Sequence, residues 1–364
     1  MGNAGLERFL DNLKFLEEAK SITLPKAPAW ATVNRVILDL ETMLLRDFSL
    51  ARPAALTAPV LIDPPQAGHS STIADYAKGQ SLVETLHEGG VTRIFVTDWK
   101  SATASMKDFD IDTYLTEINV VVDELGGAAH LIGLCQGGWM CAMYAARFPD
   151  KVRSLVLAGA PIDTDAGNGA IKKMAHRLPM SFYEGLVAAG GGRMLGSIML
   201  AGWKQMHPEK QFEKYIDLYS HIDDTCYVRR AERFARWYEN PVDLPGRYYL
   251  QSIEKLFKRN EFAKGKFVGL GRALDLTKIT VPLYLIAGDA DDITPKEQVF
   301  NAAKLVGTPA SQIVRSEVPG GHIGLFMGSR ALADVWPGVA RWIRDADRIA
   351  EPLSMATAAQ HIAR

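Results

Sequence analysis

The stretch HLIGLCQGGW, His130–Trp139, constrains this chain more than any other. An apolar run ends in Gly133-Leu134-Cys135-Gln136-Gly137 and passes directly into helix-forming sequence. A side chain projecting from a sharp strand-to-helix bend needs neighbours without Cβ atoms, because the two backbones approach closely there. The pattern is that of a G-x-S-x-G nucleophile elbow with Cys in place of Ser. The N-terminus of the following helix favours negative charge, which suits a thiolate. The backbone N–H of Gln136 would point at a developing oxyanion. A core thiol needs no flanking glycines, so Cys135 reads as a nucleophile, whereas Cys141, six residues further on, reads as packing.

The segments around the bend repeat a strand–loop–helix rhythm. PVLIDPP, RIFVTDW, AAHLIGL and VRSLVLAGAPID are short apolar runs separated by helical stretches. Such alternation predicts a mostly parallel sheet covered by helices on both faces. The rhythm breaks after Asp163 and resumes at VPLYLIAGDAD, starting at Val281. Ordinary connections are only about 2–6 residues long, so the intervening segment, rich in Met and aromatic residues, reads as an inserted helical lid. QIVRSEVPGGH supplies a last strand and ALADVWPGVARWI a last helix. The chain thus divides into an N-terminal helix and connector (1–30), a first core part (31–165), the lid (166–275), a second core part (276–348) and a C-terminal tail (349–364).

A reactive thiol needs a base and a group that orients it. In elbow folds the acid follows a late strand and the His lies in the last loop. Here LIAGDADDITP offers Asp289, Asp291 and Asp292, and VPGGHIG offers His322. Asp291 stands in the G-x-x-D position after Gly288 and is the expected orienting acid, with Asp289 and Asp292 as turn formers. For the oxyanion, the second expected donor is the backbone N–H of Gln66. His69, in PPQAGHSST, and Trp99, at the end of VTDW, are candidate substrate-binding residues, because ligands of such sheets bind at the carboxyl ends of the strands. His130, inside the elbow strand, reads as a core residue.

The 41 basic and 42 acidic side chains give no excess charge for nucleic acid or an anionic surface. No apolar run is long enough for a membrane span. Three Cys and eight His without a CxxC pair or HExxH motif give a metal little support. No metal and no cofactor are expected. An odd number of scattered cysteines suits a reducing compartment, and the expected location is cytoplasmic.

With these residues in place, the chain resembles the polyhydroxyalkanoate synthase and intracellular polyhydroxybutyrate depolymerase superfamily of α/β-hydrolases, over about residues 33–345. GLCQGG, PDKVRSLV and VPGGHIG are similar to class III synthases. GHSST, VTDW, AGAPID, YYLQSIEKLF and GDADDI look more like the depolymerases. Synthases typically follow the acid with His, whereas Asp292 stands here, as in depolymerases. Their Asn- and Tyr-containing loop is replaced by PPQAGHSST. The resemblance implies Cys135, Asp291 and His322 as the catalytic triad.

The expectation is therefore an α/β-hydrolase with a helical lid that cleaves poly- or oligo-(3-hydroxyalkanoate) esters through an acyl-Cys intermediate. The alternative is a synthase-like transfer of hydroxyacyl groups from coenzyme A thioesters. A further alternative is a non-catalytic granule-binding module. Expected partners are the polyester or oligoester substrate, with a polymer-granule surface and a second copy in a homodimer as candidates. The loops around the expected site, DPPQAGHSST, GLCQGGW, GDADDITP and PGGHIGLF, hold no Lys or Arg. Coenzyme A phosphates call for such groups, so their absence weighs against the synthase alternative, although the lid has many basic residues that could supply them.

Overall fold

The computed structural model describes residues 2–50, 58–66, 68–206 and 208–347. The expected tail, 349–364, lies outside the described residues. The first element is a helix, α1 (Gly2–Thr23). Eight strands form the central sheet: β1 (Arg35–Asp39), β2 (Met43–Asp47), β3 (Val60–Asp63), β4 (Ile94–Trp99), β5 (Ala129–Leu134), β6 (Val152–Ala158), β7 (Leu283–Gly288) and β8 (Ile313–Val318). Their spatial order is β1-β2-β4-β3-β5-β6-β7-β8. The β1–β2 and β2–β4 pairs are antiparallel and the other five are parallel.

Every residue of β3, β5 and β7 is buried, which is why these segments read as continuous apolar runs rather than alternating ones. Successive residues still point to opposite faces. Leu131, Leu155, Leu157 and Leu285 pack with helices α3 (Ile111–Glu124) and α4 (Gln136–Arg147) on one face. Ile132, Leu134, Val156 and Ile286 pack on the other, against α2 (Leu82–Glu88) and the last helical residues, including Trp336 and Ile343.

Between β6 and β7 stand six helices: α5 (Ala170–Arg177), α6 (Met180–Ala189), α7 (Gly196–Met206), α8 (Pro208–Ser220), α9 (Thr225–Tyr238) and α10 (Gly246–Gln251). α10 runs on into a wider π-type turn over Ser252–Lys258. α1 lies against α8 and α9, where Ile22 is buried with Leu218, Val228 and Ala235. The end of α1 packs on the lid through Phe15, Ala19 and Ile22, while Leu10, Leu13 and Leu16 stay exposed.

Candidate active site

The bend after β5 is built by close approach. Cys135 has φ 52° and ψ −114°, a positive φ that is uncommon for a residue with a Cβ and is held by its surroundings. Its N–H donates to the Ala158 carbonyl at 2.8 Å, and its carbonyl accepts from Gly138 at 3.0 Å. A Cβ on Gly133 would lie 2.4 Å from the Gly138 Cα. A Cβ on Gly137 would lie 1.8 Å from the Asp63 carbonyl oxygen. The two glycines thus let β5, α4 and the end of β3 meet at one point, with the thiol projecting from it. Gln136 is the first residue of α4, so its N–H has no intrahelical acceptor.

The loops after β7 and β8 bring the other two groups to the same edge. His322 Nδ1 and Asp291 Oδ2 are 2.7 Å apart. The Asp291 side chain has no exposed surface, and its other oxygen accepts from the N–H groups of Ile293 at 3.0 Å and Thr294 at 2.8 Å. These two donors fix the carboxylate so that Oδ2 faces the imidazole. His322 is buried, which disfavours its charged form. The nearby Cys135 side chain and the Asp291 carboxylate outweigh that cost and hold its pKa well above the ordinary value. Nε2 makes no well-formed hydrogen bond among the described residues. Such contacts commonly tighten only when substrate binds.

The two neighbouring carboxylates differ. Asp289 accepts from the Gly320 N–H at 2.8 Å, which links the Asp291 loop to the His322 loop. The Asp292 carbonyl accepts from Ala170 N–H at 2.9 Å, joining the start of the lid to the core.

Above the bend the lid encloses a cavity of about 1160 Å³ whose lining includes Cys135, Gln136 and His322. Met174, Phe182, Met199, Trp203 and Phe257 contribute to its apolar wall, and Ile22 of α1 reaches it too. His69 lines the same space, stacked on Trp237 with ring centroids 4.5 Å apart and on Tyr238 at 5.1 Å. Burial pushes its pKa down to about 4, so its ring is neutral at neutral pH.

Trp99 requires a correction. It was expected at the ligand edge, but it is buried in the core, tilted against Tyr114 at 5.1 Å, with its Nε1 donating to the Pro64 carbonyl at 3.0 Å. Its position at the end of β4 is as expected; the side chain points into the α3 face instead of the cavity. It supports the loop that carries Gln66. His130 is a core residue, hydrogen-bonded to Ser154 at 2.7 Å and Asp347 at 3.0 Å.

Sequence reasoning missed several neighbours. Tyr248, from α10, is fully buried and donates its hydroxyl to the Gln66 side chain at 3.2 Å. Lys210, Lys214 and Arg230, from α8 and α9, line the cavity. Tyr248 stood in a quoted motif, YYLQSIEKLF, but nothing in its spacing announced that it would reach the bend. No group of three or more His, Cys, Asp or Glu side chains among the described residues could hold a metal ion. No helix among them is long and apolar enough to cross a membrane.

Residues 51–318 match the family described as a protein of unknown function, DUF3141. The chain belongs to this family. Among relatives, it is 28% identical over 280 residues to a poly(3-hydroxyalkanoate) polymerase subunit PhaC of Haloferax mediterranei, covering 75% of this chain and 56% of that protein. It is 23% identical over 352 residues to the protein of the same name from Synechocystis, covering 93% and 90%. The chain thus spans little more than half the length of the Haloferax relative. The fold is similar to that of a monoacylglycerol lipase from Paleococcus ferrophilus, with a TM-score of 0.51 and 16% identity over 84% of this chain and 99% of that one. This DUF3141 chain therefore has the α/β-hydrolase fold and is similar in sequence to proteins named poly(3-hydroxyalkanoate) polymerase. The expected leaning toward the depolymerases is corrected: the relatives carry the polymerase name. Ester cleavage and chain elongation would both use such a bend, so motifs around it do not separate them.

Proposed function

We propose that this chain is a thiol-dependent hydroxyacyltransferase, which passes 3-hydroxyacyl groups from a coenzyme A thioester to a hydroxyl-terminated acceptor. The observation that carries the reading is the sequence likeness to relatives named poly(3-hydroxyalkanoate) polymerase. The core loops around Cys135 hold no Lys or Arg; from the lid, Lys210, Lys214 and Arg230 line the cavity together with Glu213, Asp217 and Glu239, and Lys214 pairs with Glu239 at 3.1 Å. A coenzyme A donor brings phosphates that basic side chains bind.

In the proposed cycle the Cys135 thiolate attacks the thioester carbonyl, with the proton resting on His322. The carbon–sulfur bond to coenzyme A breaks, and His322 gives its proton to the departing thiolate. The acceptor hydroxyl then attacks the acyl-Cys135 thioester while His322 takes its proton. The bond to Cys135 breaks and restores the thiolate. Asp291 keeps the imidazole oriented and stabilises its charged form. The apolar Met and aromatic wall suits a greasy acyl chain and limits competing water.

The test supplies purified protein with 3-hydroxybutyryl-coenzyme A and, separately, with amorphous polyhydroxybutyrate. The expected result is coenzyme A release matched by ester-linked product. Soluble hydroxyacid released from polymer, with no ester formed from the thioester, would overturn the reading in favour of hydrolysis.

A further inference from the structure

The cavity above Cys135 has walls of two kinds. Among the described residues, its charged lining is Asp292 from a core loop and Lys210, Glu213, Lys214, Asp217, Arg230 and Glu239, which sit on α8, on α9 or directly after α9. The wall built by α5, α6 and the π-type turn carries no charge. Ile171, Met174, Phe182, Tyr183, Ile253 and Phe257 line it. Two of its hydroxyls are already spent: Tyr183 donates to the Met174 carbonyl at 3.0 Å and Ser252 to the Tyr248 carbonyl at 2.9 Å. This wall is built for an apolar occupant.

The wall begins beside the triad. The Ala170 N–H, at the start of α5, donates to the Asp292 carbonyl at 2.9 Å, one residue from Asp291. Ile171 follows as the first lining residue of α5. Further along the same wall, Met174 is 39% exposed and Phe182 45%. Large apolar side chains left uncovered beside a cavity mark a surface that a ligand covers. The whole cavity, about 1160 Å³, exceeds the roughly 300–1,000 Å³ that encloses a drug-sized ligand. A butyryl group would fill a small part of it.

We propose that the acyl chain carried by Cys135 lies along the wall of α5, α6 and the π-type turn, and that this wall selects 3-hydroxyacyl groups of about eight to twelve carbons over hydroxybutyryl. Met174 and Phe182 set the length. Each further methylene laid on the wall leaves water, so acylation gains with chain length until the wall is covered. The charged wall of α8 and α9 is left to the polar part of the donor. The inference rests on the acyl-Cys135 chemistry proposed above.

The test measures the p-nitrophenol burst with p-nitrophenyl esters from butyrate to dodecanoate, each below its micelle concentration. In wild type the second-order rate constant of acylation should rise by about two- to fourfold per added methylene up to decanoate. Met174→Trp and Phe182→Trp add bulk to the wall at exposed positions. Each should lower decanoate acylation at least about tenfold more than butyrate acylation. Gln211→Trp, which adds bulk to the cavity from α8, should leave the preferred length where it is. A wild-type rate that is flat or falls beyond butyrate would overturn the proposal. So would an unmoved optimum in both wall variants at wild-type melting temperature, or an equal shift in Gln211→Trp. A rising wild-type profile with no ester formed from 3-hydroxydecanoyl-coenzyme A would overturn the transferase reading and leave this inference standing. No burst with any of the esters would overturn both.

Discussion

The Asp289 carboxylate accepts a hydrogen bond from the Gly320 N–H at 2.8 Å. It links the two loops two residues before Asp291 on one side and two residues before His322 on the other. The same segments are also joined by hydrogen bonds from the Asp289 N–H to the Val318 carbonyl at 3.0 Å and from the Ala290 N–H to the Gly320 carbonyl at 3.2 Å, beside the 2.7 Å contact between Asp291 and His322. Asp289→Ala should lower kcat by about ten- to a hundredfold, since small misplacements of catalytic groups are expensive. Turnover of Asp289→Ala equal to wild type would show that the loops hold their spacing without the link.

Asp291→Asn has a defined outcome. The N–H groups of Ile293 and Thr294 hold Oδ1, so the amide nitrogen of Asn must face His322 Nδ1. Two donors then oppose each other, and the imidazole is driven to the wrong tautomer. Turnover should fall by roughly 10- to 10,000-fold with the melting temperature little changed. A loss confined to KM would argue against an orienting role.

Cys135→Ala should give no acyl-enzyme in a quenched mass measurement. Cys141 is buried against Asp63, with only a 3.9 Å contact from its sulfur. Cys141→Ala should cost about 1 kcal/mol of stability, as for a small buried deletion, and leave acylation intact. Acylation persisting in Cys135→Ala would refute the assignment of the nucleophile.

Gly137→Ala tests the bend itself. The new Cβ would meet the Asp63 carbonyl, a backbone atom that cannot swing aside. The expected destabilisation is at least about 3 kcal/mol, read as a lower denaturation midpoint. A variant as stable as wild type would mean that β3 and α4 do not approach as described.

Asp63 provides a pH signature. Its carboxyl is fully buried and accepts from the Thr97 hydroxyl at 2.6 Å. Burial outweighs its hydrogen bonds and pushes its pKa up to about 7. The folded state then binds a proton that the unfolded state has released between the ordinary carboxyl pKa and about 7. This group therefore reduces stability as pH rises through that window, and the reduction levels off above it. Asp63→Asn, which cannot ionise, should gain in melting temperature relative to wild type as pH is raised from 5 to 8. A difference independent of pH would show that Asp63 is ionised throughout.

The sequence by itself determined what depends on short-range sterics and chain order. Gly133 and Gly137 bracket Cys135 because two backbones meet there, and that need is met within a few residues. The acid after β7 and the His after β8 follow from parallel strands whose carboxyl ends share one edge. The buried strands were legible because both faces are covered, which makes nearly every residue apolar, with Asp63 and His130 as exceptions. The tertiary structure alone decided where side chains from distant segments come to rest. Trp99 ends its strand where expected but turns into the core, since that rotation depends on Tyr114 and the α3 face. Tyr248 reaches Gln66 across 182 residues of chain. Lys210, Lys214 and Arg230 face the cavity only because α8 and α9 fold back over the sheet edge. Periodicity reports that a helix has an apolar face; it does not report what that face will meet, because the partner is chosen by packing between segments far apart in sequence.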